Sequence, residues 1–282
     1  MTRIGIDRED GRLLVARVND NTGRTMVEQL ATVQNGGLAG NNILSGGKLV
    51  SCVPDSDVIV RPVYLPDVSI ADDDSPARFE LAMSMLEPED TFAFRIIPTG
   101  LDYRYLGLVF RRERLADLDS AIGVGHIDGY PSDGYQARAV ALGHGYLTFC
   151  RRHPGELLCI VDLDKAGTSI CFIYREHVVS VSHLPRYDGD LADDKSVRRL
   201  AVELKTVINF RLMSLASDGI SVPMSVLVLT GEGVDNRVRK IFNELFPSGV
   251  VAPQINRGLL GENITDETPP ERYLVPLGLV AN

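Results

Sequence analysis

No stretch of this chain approaches the roughly eighteen consecutive apolar residues of a membrane-spanning helix, and the opening Met-Thr-Arg-Ile-Gly-Ile-Asp lacks the apolar core of a secretion signal. A cytoplasmic protein with no direct membrane span is expected. There is no basic block: the formal net charge is −9, and the pairs Arg111-Arg112 and Arg151-Arg152 read as solvated helix ends, which speaks against nucleic acid as a partner. The four cysteines, Cys52, Cys150, Cys159 and Cys171, show none of the close pairing of zinc or redox motifs and read as reduced core residues. Five histidines are scattered, with only His177 and His183 in one segment, so a histidine metal site is not indicated. No Ser-His-Asp or Cys-His arrangement can be assembled from such spacing. Low complexity is excluded by 44% hydrophobic and 24% charged residues, and 282 residues allow one large or two medium domains with a substantial core.

What the chain does contain is a chemically loaded hairpin. Ile160–Ile173 carries Asp162 at the end of one apolar run, turns through Gly167 and Thr168, and returns in a second apolar run. Backbone N–H groups and a hydroxyl at such a turn can hold a phosphate, and the acid can reach a metal through water. Read alone, it is more simply a core hairpin with a Gly-Thr turn. Residues 3–18 repeat the pattern, with Asp7 before an Asp10-Gly11 turn.

Between these hairpins a strand is expected near Met26–Val33, loops at Asn35-Gly36-Gly37 and Gly46-Gly47, and strands at Leu49–Val53 and Val58–Leu65 split by Pro54-Asp55. Ser75-Pro76 starts a helix running to about Leu86; strands Phe92–Pro98 and Tyr103–Phe110 and a helix Arg112–Ile122 follow, a unit that reads as an inserted subdomain. Gly123–Gly134 is its exit, residues 136–150 read as helix, and Arg151–Glu156 as a connection. A strand His177–His183 and an acidic loop Asp188–Asp194 lead into a helix Ser196–Leu215, whose Val197, Leu200, Leu204, Val207, Ile208, Leu212 and Leu215 recur at helical spacing. Burial at about 1.5–3 kcal/mol per large apolar side chain makes that stripe core-facing. A strand Ser225–Leu229, a Thr-Gly-Glu-Gly turn, a helix from Asp235 to about Phe246 and a short apolar segment Tyr273–Ala281 end the chain.

Two acid-ended hairpins followed by strand, Thr230-Gly231-Glu232-Gly233 and helix resemble the actin-like ATPase superfamily, and within it the PilM-type proteins of type IV pilus assembly, with FtsA and GspL as cousins. The 75–125 insert, the Leu-Thr-Gly-Glu-Gly turn and the ending Val-Pro-Leu-Gly-Leu-Val carry the likeness to that branch. The resemblance implies an α/β, actin-like (ribonuclease H-like) two-domain fold with a small inserted α+β subdomain: 1–74 plus 126–155 as the first domain, 75–125 as the insert and 156–282 as the second.

It also implies Mg-ATP as cofactor, with nucleotide contacts at Asp7, Lys165, Gly167, Thr168, Glu203, Lys205, Thr230, Gly231 and Gly233 and metal-directed acids at Asp7 and Asp162. Yet Glu9 and Asp10 stand where the family has Gly and Ser, Asp164 replaces a glycine and Glu232 a small residue. Unit charges about 4 Å apart repel by roughly 4 kcal/mol at an effective dielectric of about 20, so these acids oppose a triphosphate unless Mg²⁺, Arg8 or Arg12 intervenes. Simpler readings stay open: Asp7 and Asp162 as strand caps at the solvent edge, Gly231 and Gly233 as close-packing residues, Glu203 and Lys205 as surface residues of an amphipathic helix. The function implied is a cytoplasmic scaffold, peripheral to the inner membrane, of a type IV pilus or type II secretion platform. It would bind the short cytoplasmic tail of an inner-membrane assembly protein, with weak or lost ATP binding and no efficient catalysis, and self-association is compatible with it. The alternative is an active ATPase or sugar kinase of the same fold.

Overall fold

The computed structural model describes residues 1–9, 11–21, 24–34, 46–65, 74–122, 134–164, 167–185, 187, 189–262, 264 and 269–281. The expected turn residue Asp10, the loop at Asn35-Gly36-Gly37, Lys165, Asp188 and all but the last residue of the Gly123–Gly134 exit lie outside them.

Strands β1 (Thr2–Glu9), β2 (Arg12–Asn21) and β3 (Arg24–Gln34) form an antiparallel meander. β4 (Lys48–Val53) joins the other side of β1 in parallel. Strand β5 (Val58–Tyr64), helix α1 (Ser75–Met83), strands β6 (Phe92–Pro98) and β7 (Arg104–Arg111) and helix α2 (Arg112–Ile122) follow. β5, β7 and β6 make a separate three-stranded sheet, in that order, with its own small core of Val63, Leu65, Ala77, Leu81, Phe92 and Val109. β8 (Tyr135–Ala137) then returns to the first sheet in parallel with β4. That short pairing delays the helix expected from residue 136, and α3 begins only at Arg138 and ends at Phe149.

The second half repeats the wiring. β9 (Leu157–Asp164), β10 (Gly167–Tyr174) and β11 (His177–Pro185) form a meander. After α4 (Asp194–Ser217), β12 (Met224–Gly231) pairs in parallel with β9, and after α5 (Asn236–Asn243), β13 (Val250–Val251) pairs with β12. Asp193 caps α4 by accepting from the Ser196 amide, and Asp235 caps α5 from Val238, each satisfying a helix N–H that would otherwise lack a partner. The long helix thus starts two residues before, and ends two after, the expected span.

The final apolar segment folds as α6 (Leu274–Val280), buried throughout. Its Pro276 lies in the first turn, where a missing N–H costs nothing. α6 packs against β1 and α3, so the chain end lies with the first sheet rather than beside α5. The helices approach through glycines: a Cβ on Gly278 would stand 1.6 Å from the Ala141 carbonyl oxygen, and one on Gly145 2.1 Å from that of Leu274.

α3 and α6 are sandwiched between the two five-stranded sheets, and this places the site. β9 is buried almost end to end because it has a helical layer on each face. Leu158 and Ile160 join the core around α3, whereas Leu157, Cys159, Val161 and Leu163 join the core under α4 and α5. With a side-chain period of two, Asp162 and Asp164 point to the α3 side. On β1, Gly5 meets the Pro276 carbonyl of α6, so Asp7 and Glu9 share that helical side as well. All four cysteines are buried and free.

Candidate functional site

Four acids from two strand ends converge on one arginine. Arg138, the first residue of α3, is buried, and its guanidinium reaches Asp7 Oδ2 at 3.1 Å, Glu9 Oε1 at 3.5 Å, Asp162 Oδ2 at 2.9 Å and Asp164 Oδ2 at 3.1 Å. A cation at a helix N-terminus opposes the helix dipole, and the four carboxylates more than reverse that penalty. Asp7 and Asp162 are therefore not strand caps at a solvent edge, one of the readings the sequence left open: Asp7 is 2% exposed and Asp162 5%.

A second arginine extends the network. Arg272 Nη2 lies 3.2 Å from Glu9 Oε2 and 3.5 Å from Glu232 Oε1, and Arg12 Nη2 donates to Glu232 at 2.9 Å. Beside Arg138, Asp55 accepts the Ala139 amide at 2.9 Å and the Ser169 hydroxyl at 2.6 Å, joining the start of α3 to β10. In register, Ser169 rather than Thr168 stands opposite Asp162.

The electrostatics follow from burial. Burial, then the neighbouring charges of Asp7, Asp162 and Asp164, push the Glu9 carboxyl up to about 7 against the pull of Arg138. Asp162 is pushed up to about 6, by burial first and by Asp164, Asp7 and Asp55, again opposed by Arg138. Burial also raises Asp55 despite its two hydrogen bonds. For Arg138, burial disfavours the cation, but Asp7, Asp162 and Asp164 outweigh it and hold its pKa well above the usual value.

Of the residues singled out for nucleotide and metal, the structure brings Asp7 and Asp162 together, both on Arg138. Thr230 pairs in register with Asp162, and its hydroxyl donates to the Glu271 carbonyl at 3.5 Å. Gly231, with φ 119°, passes so close to β9 that a Cβ would lie 2.2 Å from the Leu163 carbonyl oxygen. Thr168 and Gly233 line a cavity of 440 Å³ with Leu163, Asp164, Leu200 and Glu232, and Gly167 and Thr168 line one of 180 Å³ with Asp7, Asp55 and Arg138. Glu203 and Lys205 sit on α4 outside the lining of both cavities.

These residues do not fit a magnesium triphosphate. The metal-directed oxygens of Asp7 and Asp162 already accept from Arg138, and Asp164 and Glu9 add charge of the same sign as a phosphate. Among the described residues no group of three or more His, Cys, Asp or Glu is disposed around a shared metal position. The intervening cation is Arg138, not Arg8 or Arg12; Arg8 is exposed and Arg12 serves Glu232. The sequence does carry a signal for it: an arginine at the wrong end of an otherwise apolar helix, and acids spaced i, i+2 at two strand ends.

A second feature lies between the small sheet and the first sheet. A groove of 950 Å³ runs along β6 and is lined by Phe92, Phe94, Arg95, Arg112, Leu115 and Tyr135, among others. β6 is the edge of its sheet and β8 the edge of the other, so among the described residues both flanking strands have an unpaired side. Arg95 Nη1 donates to the Tyr135 carbonyl at 2.8 Å, and the Tyr135 hydroxyl donates to Asp119, tying β8 to β6 and α2. Burial lowers the Arg95 pKa, and burial followed by the charge of Arg95 pushes neighbouring His144 down to about 4.

No family model and no curated protein matches the sequence. Solved structures do. The chain is similar to the "PilM-PilN type IV pilus biogenesis complex", with a TM-score of 0.69 and 14% identity over 98% of this chain and 97% of that one. The chain has the actin-like ATPase fold. A Bacteroides thetaiotaomicron protein described as having an actin-like ATPase fold and unknown function superposes with a TM-score of 0.52 and 9% identity, covering 89% of this chain and 90% of that one. The cytoplasmic domain of EpsL, an inner-membrane component of the type II secretion system of Vibrio cholerae, superposes with a TM-score of 0.46 and 10% identity over 83% of this chain and 84% of that one. No helix among the described residues is long and apolar enough to cross a membrane. Within the actin-like fold, then, the position between the two hairpins is taken by an internal ion-pair cluster.

Proposed function

We propose that this chain is a cytoplasmic scaffold of a pilus or secretion platform at the inner membrane, that it holds the short cytoplasmic tail of a membrane protein in the β6–β8 groove, and that ATP binding is weak or lost. The observation that carries this reading is the contrast within one actin-like fold between a cleft filled by Arg138 with Asp7, Glu9, Asp162 and Asp164 and an open groove flanked by two strand edges. An extended tail can add to an exposed strand edge through its backbone and seat alternate side chains in pockets. Phe94, only partly buried, offers apolar contact, and Arg95 and Arg112 offer cationic donors. The likeness to a PilM–PilN complex supports a protein partner rather than a small-molecule substrate.

The test is binding of synthetic N-terminal tails from membrane proteins encoded beside the gene. One tail should bind to the wild type and lose about tenfold or more in affinity with Phe94→Ala or Arg112→Glu. Retention of no tail, or binding unchanged by both substitutions, contradicts the reading. An active kinase or ATPase would release phosphate from Mg-ATP in a manner abolished by Asp162→Ala.

A further inference from the structure

The guanidinium in the middle of β6 sits in the β6–β8 groove without a counter-charge. Arg95 is half-buried, and it donates to the Tyr135 carbonyl at 2.8 Å, a neutral acceptor. Among the described residues no carboxylate pairs with it, and burial alone lowers its pKa, with no acid raising it in return. Arg138 is the opposite case: it is buried too, but Asp7, Asp162 and Asp164 outweigh the burial. Taking a charge out of water is costly unless an opposite charge meets it. A guanidinium offers five N–H donors in a planar fork matched to a carboxylate, and the Tyr135 carbonyl occupies only part of that capacity.

The other charged groups of the groove are committed or set apart. Asp119 accepts from the Tyr135 hydroxyl, and Glu89 and Asp90 stand exposed on the turn before β6. Arg78 pairs with Asp74, and Arg112 is exposed at the start of α2. The position of Arg95 on an edge strand fixes what a docked chain would present to it. Ala93 and Ile97 pack with the core around α3, so Arg95 points to that side, whereas Phe92, Phe94 and Ile96 pack with the core of the small sheet. A strand added to the β6 edge alternates in step: one of its side chains lies beside Arg95, and the residues before and after it lie on the side of Phe94 and Ile96.

We infer that the groove selects an extended segment with an acidic side chain between two apolar ones, the carboxylate meeting the Arg95 guanidinium and the apolar pair packing along Phe94 and Ile96. The inference rests on the tail-binding reading and specifies the chemistry of the tail. A charge pair completed only on binding favours the acid over its amide, and a basic side chain at the same place would set two cations side by side.

Selection of a phage-displayed random decapeptide library on the full chain, followed by fluorescence anisotropy with synthetic peptides, tests it. The peptides are amidated at the C-terminus, so any carboxylate they offer belongs to a side chain. Peptides that lose binding with Phe94→Ala should carry Asp or Glu between apolar residues. Exchanging that acid for its amide should weaken binding by roughly tenfold or more, and Arg95→Gln should do the same to the acidic peptide. The two changes together should cost little more than either alone, and Arg95→Lys, which keeps the charge without the fork, should lose less than Arg95→Gln. The acid-to-amide exchange uses the wild-type protein, so it decides the matter even if Arg95→Gln fails to fold. Groove-bound peptides without an acid, or an acid whose amide binds equally well, overturn this inference and leave tail binding standing. Retention of no peptide, or binding indifferent to Phe94→Ala, overturns both.

Discussion

The cleft and the groove are both gaps between layers of one fold, and they are built on opposite principles. In the cleft each of Asp7, Glu9, Asp162 and Asp164 already turns an oxygen to the Arg138 guanidinium of the same chain, and burial makes those ion pairs an internal structural element. In the groove the flanking strands keep an unpaired edge and the lining mixes aromatic rings with arginines. A gap that satisfies its own charges has little left to offer a ligand, whereas one that leaves backbone and apolar surface unsatisfied is disposed to take a chain. On the proposed reading, binding is directed away from the central cleft and toward the small three-stranded sheet.

The comparison breaks most severely at Arg138. Replacing it with Met leaves four buried carboxylates without their shared cation, and a loss of about 3–5 kcal/mol in chemical denaturation is expected near neutral pH. The loss should shrink on acidification, as the carboxylates take up protons. A smaller effect of opposite sign is expected at Glu9. Its carboxyl titrates near 7 when folded and near 4.5 when unfolded, so between those values the folded state holds a proton that the unfolded state has released. Stability from this group is present below about pH 4.5 and is lost as pH rises through about 7, and Asp162 acts in the same direction up to about 6. The protein should thus melt at a higher temperature at about pH 6 than at about pH 8. Glu9→Gln should flatten that slope and stabilise by about 1–2 kcal/mol at the higher pH. The groove sharpens the comparison with the smallest effect on stability: Arg112→Glu should change melting by less than about 0.5 kcal/mol while weakening tail binding.

Much of this architecture is written in the sequence, because it rests on local signals. Alternation and turn residues mark both hairpins, and the stripe from Val197 to Leu215 marks α4 to within a few residues at each end. The order of these elements, with Thr230 and Gly231 after the second hairpin, leads to the actin-like fold. What escapes is what depends on distance along the chain. Arg138 meets acids that are 131 and 24 residues away from it, at Asp7 and Asp162, and one sequence cannot pair them. Glu9 and Asp164 read as intrusions where glycine belongs; placed on the same strand faces as Asp7 and Asp162, they become the other half of the arginine's shell. β8 escapes because three residues beside an apolar helix leave no period to detect, and α6 because an apolar run with a proline and a glycine carries no amphipathic pattern. The groove escapes for the same reason as Arg138, since β6 and Tyr135 meet only in the folded chain.

The central claim is that the chain's own arginine occupies the place a phosphate would need. Calorimetric titration of Mg-ATP into the wild type tests it most directly, with Thr168→Ala alongside. The account predicts no saturable heat from either protein; a saturable signal from the wild type that vanishes in Thr168→Ala would show a working nucleotide site and contradict it.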